Sequence, residues 1–358
     1  MRAAVLREVG APLRIEEVEV EGPRAGEVAV RLVASGVCHS DLHTIDGSFP
    51  WPLPAIFGHE GAGVVEAVGS GVTNVAPGDH VILTWLPYCG ACRMCSRGRP
   101  NLCERQGWSD AGTMMDGTVR FHGSGGPVHH CTASSFAERT VVAAQTCVPV
   151  APDLDLVELS LFGCAVMTGI GAVLNSARVR EGESVAVIGC GGVGLNVVQG
   201  ARIAGAGRIV AIDRVASKLA LARELGATDA IDASVADPVE ALAGGVDHVF
   251  EAIGRPATIE LATRLTGPGG QAVLIGMAPA GATASFAPLD LTLGERVIRG
   301  SWYGGVVPDR DFPRLLELYR DGALRIDPLV RRIGLEDLNG AFDLIRSGDA
   351  VRSVIVYP

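Results

Sequence analysis

The sequence predicts an α/β protein in two parts, an antiparallel, barrel-like β region followed by a doubly wound parallel sheet with helices on its faces. Three observations predict this class. The chain has 358 residues, more than a single hydrophobic core usually holds. Its first part consists of short alternating segments separated by Gly and Pro. Its later part alternates apolar strands with Ala-rich helices, as parallel sheets do.

The β pattern occupies the first 150 residues or so. Segments such as "EVAVRLVASGVC" and "GAGVVEAVG" alternate in the way that strands with one buried face do. From about residue 165 the apolar segments "SVAVIG", "RIVAID", "HVFEAIG" and "QAVLIGM" are separated by helical stretches such as "ASKLALARELGA". This order indicates βαβ units and therefore a parallel sheet.

The C-terminal part changes pattern again after about residue 303. The segments "DFPRLLELYRDGAL" and "GLEDLNGAFDLIRSG" read as two helices, and "RSVIVY" reads as a closing strand. We therefore predict a first domain over 1–165, a second over 166–303, and a C-terminal segment over 304–358 that returns to the first domain.

Composition excludes several classes of partner. Hydrophobic residues make up 48% of the chain and charged residues 20%, which describes a globular protein, and the net charge of −10 disfavours nucleic acid and anionic membranes. The N-terminus lacks the apolar core of a signal peptide, and no apolar run is long enough for a bilayer. We predict a cytoplasmic protein. In that reducing compartment, clustered cysteines bind metal or react more often than they form disulfides.

A glycine-rich turn predicts a dinucleotide site. Gly189, Gly191, Gly192 and Gly194 follow the strand "SVAVIG" and open a helix, where backbone N–H groups attract a pyrophosphate. Asp213, at the end of the next strand, is placed to bind the adenosine ribose. A carboxylate there repels a 2′-phosphate and favours NAD, while Arg214 beside it keeps NADP or dual use as the alternative.

Four cysteines have the spacing C-x2-C-x2-C-x7-C: Cys89, Cys92, Cys95 and Cys103. Four thiolates from one lobe close a tetrahedron around Zn²⁺ and leave no position for substrate, so this site is predicted to be structural. An iron–sulfur cluster and free surface thiols are the alternatives.

The order of several motifs resembles a known family. These motifs are the run from Cys38 through "GHEGAGVVEAVG", the four-cysteine lobe, "GTMMDGTVRFHG", "FAERTVV", "GCAVMTGIGAV", the glycine-rich turn and "VRSVIVY". In this order the chain resembles a zinc-dependent medium-chain alcohol dehydrogenase over essentially its whole length. The resemblance implies a Rossmann fold for the parallel sheet and a GroES-like β-barrel for the catalytic domain.

The resemblance also implies a catalytic zinc, and with it two Zn²⁺ per subunit. Cys38, His59 and Cys164 match its ligands, and an open fourth position would take a water or substrate oxygen. Glu60 matches an acid that approaches the zinc as an alternative ligand. Ser40 and His43 match a relay that carries the alcohol proton to solvent while hydride passes to NAD held between the domains.

Further positions match cofactor contacts of the family. They are His39 and Arg352 for the pyrophosphate, Lys218 for the adenosine ribose, Thr168 and Val193 for the nicotinamide, and Ile275 as a further cofactor-binding position. The segments "SDAGTMMDGTVRF" and "RGSWYGG" resemble the dimeric branch, so the resemblance implies a homodimer that acts on small alcohols or aldehydes.

The substrate prediction depends on three aromatic residues that match pocket positions, namely Phe49, Trp85 and Trp108. Broad apolar walls favour medium-chain aliphatic or aromatic primary alcohols. The first alternative is a thiol-dependent formaldehyde dehydrogenase of the mycothiol or glutathione type. The glutathione class has an Asp and an Arg where this chain has Phe49 and Gly107, whereas "SWYGG" and the helix after it are similar to the mycothiol branch. A non-catalytic cofactor-binding protein is the remote alternative.

Overall fold

The structure, a computed structural model, describes residues 1–105, 111–348 and 352–358. The predicted pocket residue Trp108 and its neighbour Gly107 lie outside these ranges. Contacts within the chain divide it into two compact units. The first unit combines Met1–Cys164 with Leu329–Pro358, and the second is Ala165–Pro328.

Strands dominate the N-terminal part of the first unit. In strand β4, Glu27–Gly36, alternate side chains point inward, and Val28, Val30 and Leu32 are at most 1% exposed. This period of two is the pattern seen in the sequence. Strands β1 to β11 are Arg2–Leu6, Arg14–Glu17, Glu19–Val20, Glu27–Gly36, Ala55–Ile56, Glu60–Val68, His80–Leu83, Phe121–Gly123, Gly126–His130, Arg139–Ala143 and Cys147–Val150.

Short helices connect these strands. Helices α1 to α3 are His39–Ile45, Arg93–Ser96 and Leu156–Leu159, and 3₁₀ turns cover Pro100–Leu102, Ala144–Thr146 and Ser160–Gly163. Helix α1 follows β4 directly, and the turn Ser160–Gly163 ends at Cys164. Two residues predicted to bind metal lie at these connections: Cys38 between β4 and α1, and Cys164 directly after the turn.

The second unit contains a six-stranded parallel sheet. Its strands β12 to β17 are Ser184–Ile188, Arg208–Asp213, Asp229–Asp232, Val246–Glu251, Thr266–Leu274 and Val297–Gly300. Their spatial order is β14-β13-β12-β15-β16-β17, so the order reverses beside β12. A ligand crevice in such sheets lies at the carboxyl ends of the strands at this reversal.

Helices separate the strands of the second unit. Helices α4 to α10 are Ala165–Gly171, Gly192–Ile203, Ala216–Glu224, Pro238–Ala241, Pro256–Leu265, Pro288–Gly294 and Pro308–Arg320, and a π-helical turn over Ala172–Ala177 continues α4. Val185, Ala186 and Val187 of β12 are fully buried, which explains the continuous apolar run in that strand.

The chain returns to the first unit later than we predicted. Residues 304–328 belong to the second unit, not to the returning segment. Phe312 and Leu315 of α10 are at most 3% exposed, and the Asp311 carboxylate accepts from the Asn175 amide at 3.0 Å. Beyond α10, the Gln199 side chain of α5 exchanges two hydrogen bonds with the backbone of Arg325. These contacts keep the segment with the parallel sheet.

The returning segment adds helix α11, Leu338–Ser347, and strands β18, Arg331–Ile333, and β19, Ser353–Val356. The first unit then holds a sheet of order β2-β1-β5-β9-β8-β3 and a second of order β11-β7-β6-β4-β19-β18, in which β10 also pairs with β4. β19 runs antiparallel to β4, with Ile355 opposite Ser35. The C-terminal residues thus lie beside the strand that leads to Cys38.

Among the described helices, none is by itself long and apolar enough to cross a membrane, although the consecutive segments Leu156–Gly163 and Ala165–Ala177 pass that test when counted together.

Candidate active site

The first unit gathers four side chains from three separate segments of the sequence. Cys38 caps the N-terminus of α1, His59 precedes β6, Glu60 is its first residue, and Cys164 follows the turn Ser160–Gly163. One ligand atom from each lies within 4.8 Å of the others, and all four residues are buried. Two thiols, an imidazole and a carboxylate are ligands that Zn²⁺ takes, so this group fits a zinc ion.

Asp41 is a site residue that the sequence analysis missed. Its carboxylate accepts from Nδ1 of His59 at 3.0 Å and from the backbone N–H groups of Cys38 and Gly58, each at 3.2 Å. A carboxylate on Nδ1 orients the ring so that Nε2 faces the cluster. The signal was present in "CHSD", because a side chain at the third position of a helix faces the residue that caps it.

The geometry around Ser40 agrees with that orientation. Its hydroxyl donates to the Cys38 sulfur at 3.2 Å and lies 3.3 Å from Nε2 of His59. His43 lies one turn further along α1, and its ring centroid is 4.9 Å from that of His39. Ser40 and His43 are half-buried, whereas His39 is exposed. The structure therefore places Ser40 at the cluster and the two histidines nearer the surface of this unit.

Burial and local charge set the protonation of the cluster. A hydrogen bond from the Cys164 thiol holds the pKa of the Cys38 thiol well below its usual value, although burial opposes this effect. The same hydrogen bond raises the pKa of Cys164. Burial lowers the pKa of His59, but the charge and hydrogen bond of Asp41 more than compensate and raise it. One thiolate is thus favoured inside a buried group of metal-binding side chains.

Arg352 is the positive charge beside this cluster. Its guanidinium donates to the Glu60 carboxylate at 2.6 Å and to the carbonyl of Val37 at 3.2 Å, and it is 7% exposed. Burial raises the pKa of Glu60 to about 7, against the opposing attraction of Arg352. The sequence analysis gave Arg352 a pyrophosphate contact; within this unit the structure shows it paired with Glu60.

The four-cysteine lobe forms a second group of metal-binding atoms. The sulfurs of Cys89, Cys92, Cys95 and Cys103 lie within 4.8 Å of one another. Backbone N–H groups point at them: Cys89 donates to the Cys103 sulfur at 3.3 Å, and Glu104 donates to the Cys92 sulfur at 3.4 Å. Hydrogen bonds from backbone N–H groups, first that of Cys95, lower the pKa of Cys92 to about 6. Burial, in contrast, raises the pKa of Cys95 to about 12 and also raises that of Cys103. It is therefore the closed set of four sulfurs that fits a structural Zn²⁺.

The glycine-rich turn of the second unit is tightly folded. Gly189 has φ +92°, and a Cβ on Gly194 would lie 1.7 Å from the carbonyl oxygen of Gly189. Gly191 is the residue at which α5 begins, and Gly192 is the first residue within it. Only glycine at position 194 allows α5 to start this close to β12, which leaves its N-terminal N–H groups available to a phosphate.

Asp213, predicted to bind the ribose, also supports this turn. One carboxylate oxygen accepts from the N–H of Cys190 at 2.7 Å. The other accepts from the N–H groups of Arg214 and Val215, at 2.7 and 3.0 Å. Asp213 therefore ties the glycine-rich turn to the end of β13, a role that the sequence analysis did not predict.

Four other predicted cofactor residues lie in the same unit, whereas His39 and Arg352 belong to the first unit. Thr168 on α4 and Lys218 on α6 are buried, and Val193 is half-buried on α5. The N–H of Ile275, just after β16, donates to the carbonyl of Glu251 at 2.8 Å.

Two of the three predicted pocket aromatics can be placed. The Trp85 ring lies edge-on to the His59 imidazole, with 6.2 Å between the ring centroids. Phe49 is 45% exposed. Trp85 is thus an apolar wall beside the metal-binding group, whereas Trp108 falls outside the described residues.

Comparison with known proteins decides the family. Residues 24–153 match the family model described as "Alcohol dehydrogenase GroES-like domain", and residues 192–321 match "Zinc-binding dehydrogenase". The chain belongs to the zinc-dependent medium-chain alcohol dehydrogenases. The predicted family and fold class are confirmed, and zinc and NAD are the cofactors that this dehydrogenase fits.

Individual relatives of the dehydrogenase resemble it over its whole length. The S-(hydroxymethyl)glutathione dehydrogenase of Photobacterium damsela subsp. piscicida is 45% identical, over 99% of both chains. The crystal structure of benzyl alcohol dehydrogenase from Acinetobacter calcoaceticus has a TM-score of 0.95 and 34% identity, covering 100% of this chain and 99% of that one. A zinc-binding dehydrogenase from Sinorhizobium meliloti, solved with NADP, has a TM-score of 0.82 and 29% identity, with 99% of both chains covered.

These comparisons change which of the two substrate predictions is better supported. Curated relatives at 44–45% identity are named as dehydrogenases of a formaldehyde–thiol adduct. The alternative in the sequence analysis, a thiol-dependent formaldehyde dehydrogenase, is therefore better supported than the main prediction of a primary alcohol dehydrogenase.

Proposed function

We propose that this dehydrogenase oxidises the hydroxymethyl adduct of a low-molecular-weight thiol to the S-formyl thiol, with NAD⁺ as hydride acceptor. The observation that carries the proposal is the 44–45% identity, over 99% of both chains, to proteins named S-(hydroxymethyl)glutathione dehydrogenase. The reaction removes a hydride from carbon and a proton from the hydroxyl group.

Cys38, His59 and Cys164 are the proposed ligands of the catalytic zinc, which as a bound Lewis acid lowers the pKa of a hydroxyl group and polarises a carbonyl. Asp41 holds the His59 ring in the ligating orientation. Ser40, whose hydroxyl already contacts Cys38 and His59, accepts the proton of the substrate hydroxyl group. His43, three residues later on α1, takes the proton toward solvent. Glu60, paired with Arg352, supplies a carboxylate that can approach the metal.

The cofactor is proposed to be NAD rather than NADP. Asp213 presents its carboxylate at the end of β13, where it would repel a 2′-phosphate. The proposed NAD contacts also include the glycine-rich turn and, by family resemblance, His39, Thr168, Val193, Lys218, Ile275 and Arg352. NADP or dual use is the alternative, since Arg214 is exposed next to Asp213.

A benzylic or medium-chain primary alcohol is the second candidate substrate. Two observations favour it: the 34% identity to benzyl alcohol dehydrogenase and the apolar Trp85 ring beside His59. Phe49, half-exposed, stands where the glutathione-dependent class has an acid. This replacement removes a charged contact to glutathione, so the thiol of the proposed substrate need not be glutathione.

A substrate panel tests the two candidates. We expect kcat/KM for a thiol–formaldehyde adduct, of glutathione or mycothiol, to exceed that for benzyl alcohol or octanol by at least about tenfold. Phe49→Asp should shift the ratio further toward the glutathione adduct within the same enzyme. A tenfold preference for benzyl alcohol over both adducts would favour the second candidate and contradict the first.

We also propose a cytoplasmic homodimer. All nine cysteines lie among the described residues and none of them forms a disulfide there, which fits a reducing compartment. β17 is the last strand of its sheet, and apolar side chains near it are exposed: Leu293 by 77%, Leu289 by 65% and Val297 by 45%. Pairing of two such edges would cover them.

Light scattering tests the dimer. The expected mass is twice the 37.1 kDa of the chain. Leu293→Glu should reduce it to the mass of one chain, whereas Val235→Glu, at an 84% exposed position on another surface, should not. A tetramer, or a monomeric parent protein, would contradict the proposal.

A further inference from the structure

The backbone before His59 is held from two sides. Asp41 accepts the N–H of Gly58 on one side, as described above. On the other side, the N–H groups of Ser135 and Phe136 donate to the carbonyls of Gly58 and Phe57, both at 2.9 Å. Gly58 has φ +88°, and a Cβ there would lie 2.6 Å from the Ser135 hydroxyl, so no space separates the two segments. The position of residues 131–136 therefore fixes the position of His59.

The turn over residues 131–136 is itself strained. Thr132 and Ser134, neither of them glycine, both have φ +46°. Hydrogen bonds from side chains of the first unit hold the turn in this strained conformation. The Ser134 hydroxyl accepts from the N–H of Cys131 at 2.9 Å, and the Thr140 hydroxyl donates to the carbonyl of Ala133 at 2.7 Å. Strained backbone persists only where its surroundings hold it.

Tyr357, the residue before Pro358, contacts this turn beside Ser35, whose hydroxyl lies 2.6 Å from that of Ser135. Its hydroxyl donates to the carbonyl of Ser135 at 2.5 Å, and its own N–H donates to the carbonyl of Val33 at 3.0 Å. The side chain is 7% exposed, and burial raises the pKa of the phenol well above 10, so it remains a donor. The Ser135–Phe136 peptide group is thus held at both ends, its carbonyl by Tyr357 and its N–H by Phe57.

We infer that Tyr357 is a positioning residue for the proposed zinc ligand His59, acting through the Ser135–Phe136 peptide group. The inference rests on the proposed zinc site. Without the phenolic hydroxyl, the buried carbonyl of Ser135 loses its donor, and the peptide group keeps only the hydrogen bond from the N–H of Phe136 to Phe57. One of the two supports of the loop before His59 is then weakened, and the metal dissociates faster.

The test compares Tyr357→Phe with a matched control, Thr146→Val. Thr146 also donates a buried hydroxyl to a carbonyl, that of Ala143 at 2.8 Å, but it belongs to a different turn. The zinc-loaded proteins are mixed with a colorimetric chelator, and release from the four-cysteine lobe serves as an internal reference. Hydrogen exchange of the peptide covering residues 131–137, measured on metal-free protein, reports on the turn itself.

We expect Tyr357→Phe to release the catalytic-site metal about threefold to tenfold faster, with unchanged release from the lobe, and to exchange faster over 131–137. Thr146→Val should change neither. Equal effects of the two variants, or a lowered unfolding midpoint without selective release, would mean that Tyr357 is merely structural and would overturn the inference. A parent protein that binds only one zinc would contradict the zinc-site proposal instead, and hydrogen exchange would then decide whether Tyr357 holds the turn.

Discussion

Asp41 shows how one buried carboxylate organises a metal-binding group. It is 2% exposed and contacts His59, Cys38 and Gly58, so it fixes two proposed ligands and the residue directly before His59. A hydrogen-bonded carboxylate behind a histidine ligand sets both the ring orientation and its basicity.

Replacement of Asp41 by Asn should therefore weaken the catalytic zinc site. We expect a loss of about 10–100-fold in zinc affinity at this site, because Asn has nearly the shape of Asp but lacks the negative charge that faces Nδ1 of His59. Metal-competition titration measures the effect. Asp46→Asn, at the exposed end of α1, is the control and should leave the affinity unchanged. An unaltered affinity in Asp41→Asn would show that the His59 ring is positioned by other contacts.

His130 predicts a pH dependence of stability. It is 1% exposed, and its Nε2 accepts from the N–H of Arg120 at 2.9 Å. Burial, together with the charge of Arg120, lowers its pKa to about 3, whereas an unfolded histidine titrates near 6.5. Below about pH 6.5 the histidine of the unfolded chain takes up a proton, whereas His130 of the folded protein stays neutral until the pH approaches 3. The stabilising contribution of His130 is therefore complete above that pH and is lost as the pH falls toward 3.

As the pH falls, proton uptake by His130 in the unfolded chain should lower the free energy of unfolding by up to about 1.4 kcal/mol per pH unit. His130→Gln keeps an acceptor for the Arg120 N–H but does not titrate. Its unfolding midpoint should therefore fall less steeply than that of the parent protein between about pH 6 and about pH 4. Parallel curves for parent and variant would mean that His130 takes up its proton without unfolding.

At the scale of elements, the turn between β12 and α5 contains glycines that are needed for two different reasons. A Cβ on Gly194 would collide with the Gly189 carbonyl, whereas a Cβ on Gly191 meets no atom within 4 Å and the φ of −80° suits any residue. Gly194 is thus required by the fold. Gly191 leaves space that a pyrophosphate would use.

Alanine substitutions test this distinction. Gly194→Ala should lower the unfolding midpoint and abolish NADH binding. Gly191→Ala should keep the parent midpoint and weaken NADH binding by about tenfold or more, because its methyl group fills the approach to the phosphates. Thermal unfolding and NADH fluorescence titration measure both quantities. Normal NADH binding by Gly191→Ala would place the pyrophosphate elsewhere.

At the scale of the whole molecule, the two groups of metal-binding residues should differ in what they stabilise. Metal analysis of the parent protein should find two zinc ions per chain. Cys164→Ser should lose one ion and activity with a nearly unchanged unfolding midpoint, because Leu161, Phe162 and Ala165 beside it are fully buried and hold the segment without the metal. Cys103→Ser should lose one ion and lower the midpoint, because the lobe contains only short helical turns between its cysteines. One zinc in an active parent protein would refute the two-site assignment.

The sequence by itself determined the local features of this protein. Alternation in β4, the βαβ rhythm, the glycine-rich turn with Asp213, and the four-cysteine spacing each involve residues close in the chain, where periodicity and turn chemistry report directly on structure. The family resemblance added the proposed ligands of the catalytic zinc, namely Cys38, His59 and Cys164. It did not find Asp41, because Cys38, Ser40 and His43 in the same segment "CHSDLH" match the family motif, and Asp41 between them was given no role.

Only the tertiary structure decided the long-range contacts. Arg352 meets Glu60 across 292 residues, Tyr357 meets Ser135 across 222, and the segment 304–328 stays with the parallel sheet. Such contacts depend on which strands become neighbours, here β19 beside β4, and no local pattern in either segment carries that information. The substrate is undetermined by sequence for the same reason, because a pocket is formed by side chains that only folding brings together.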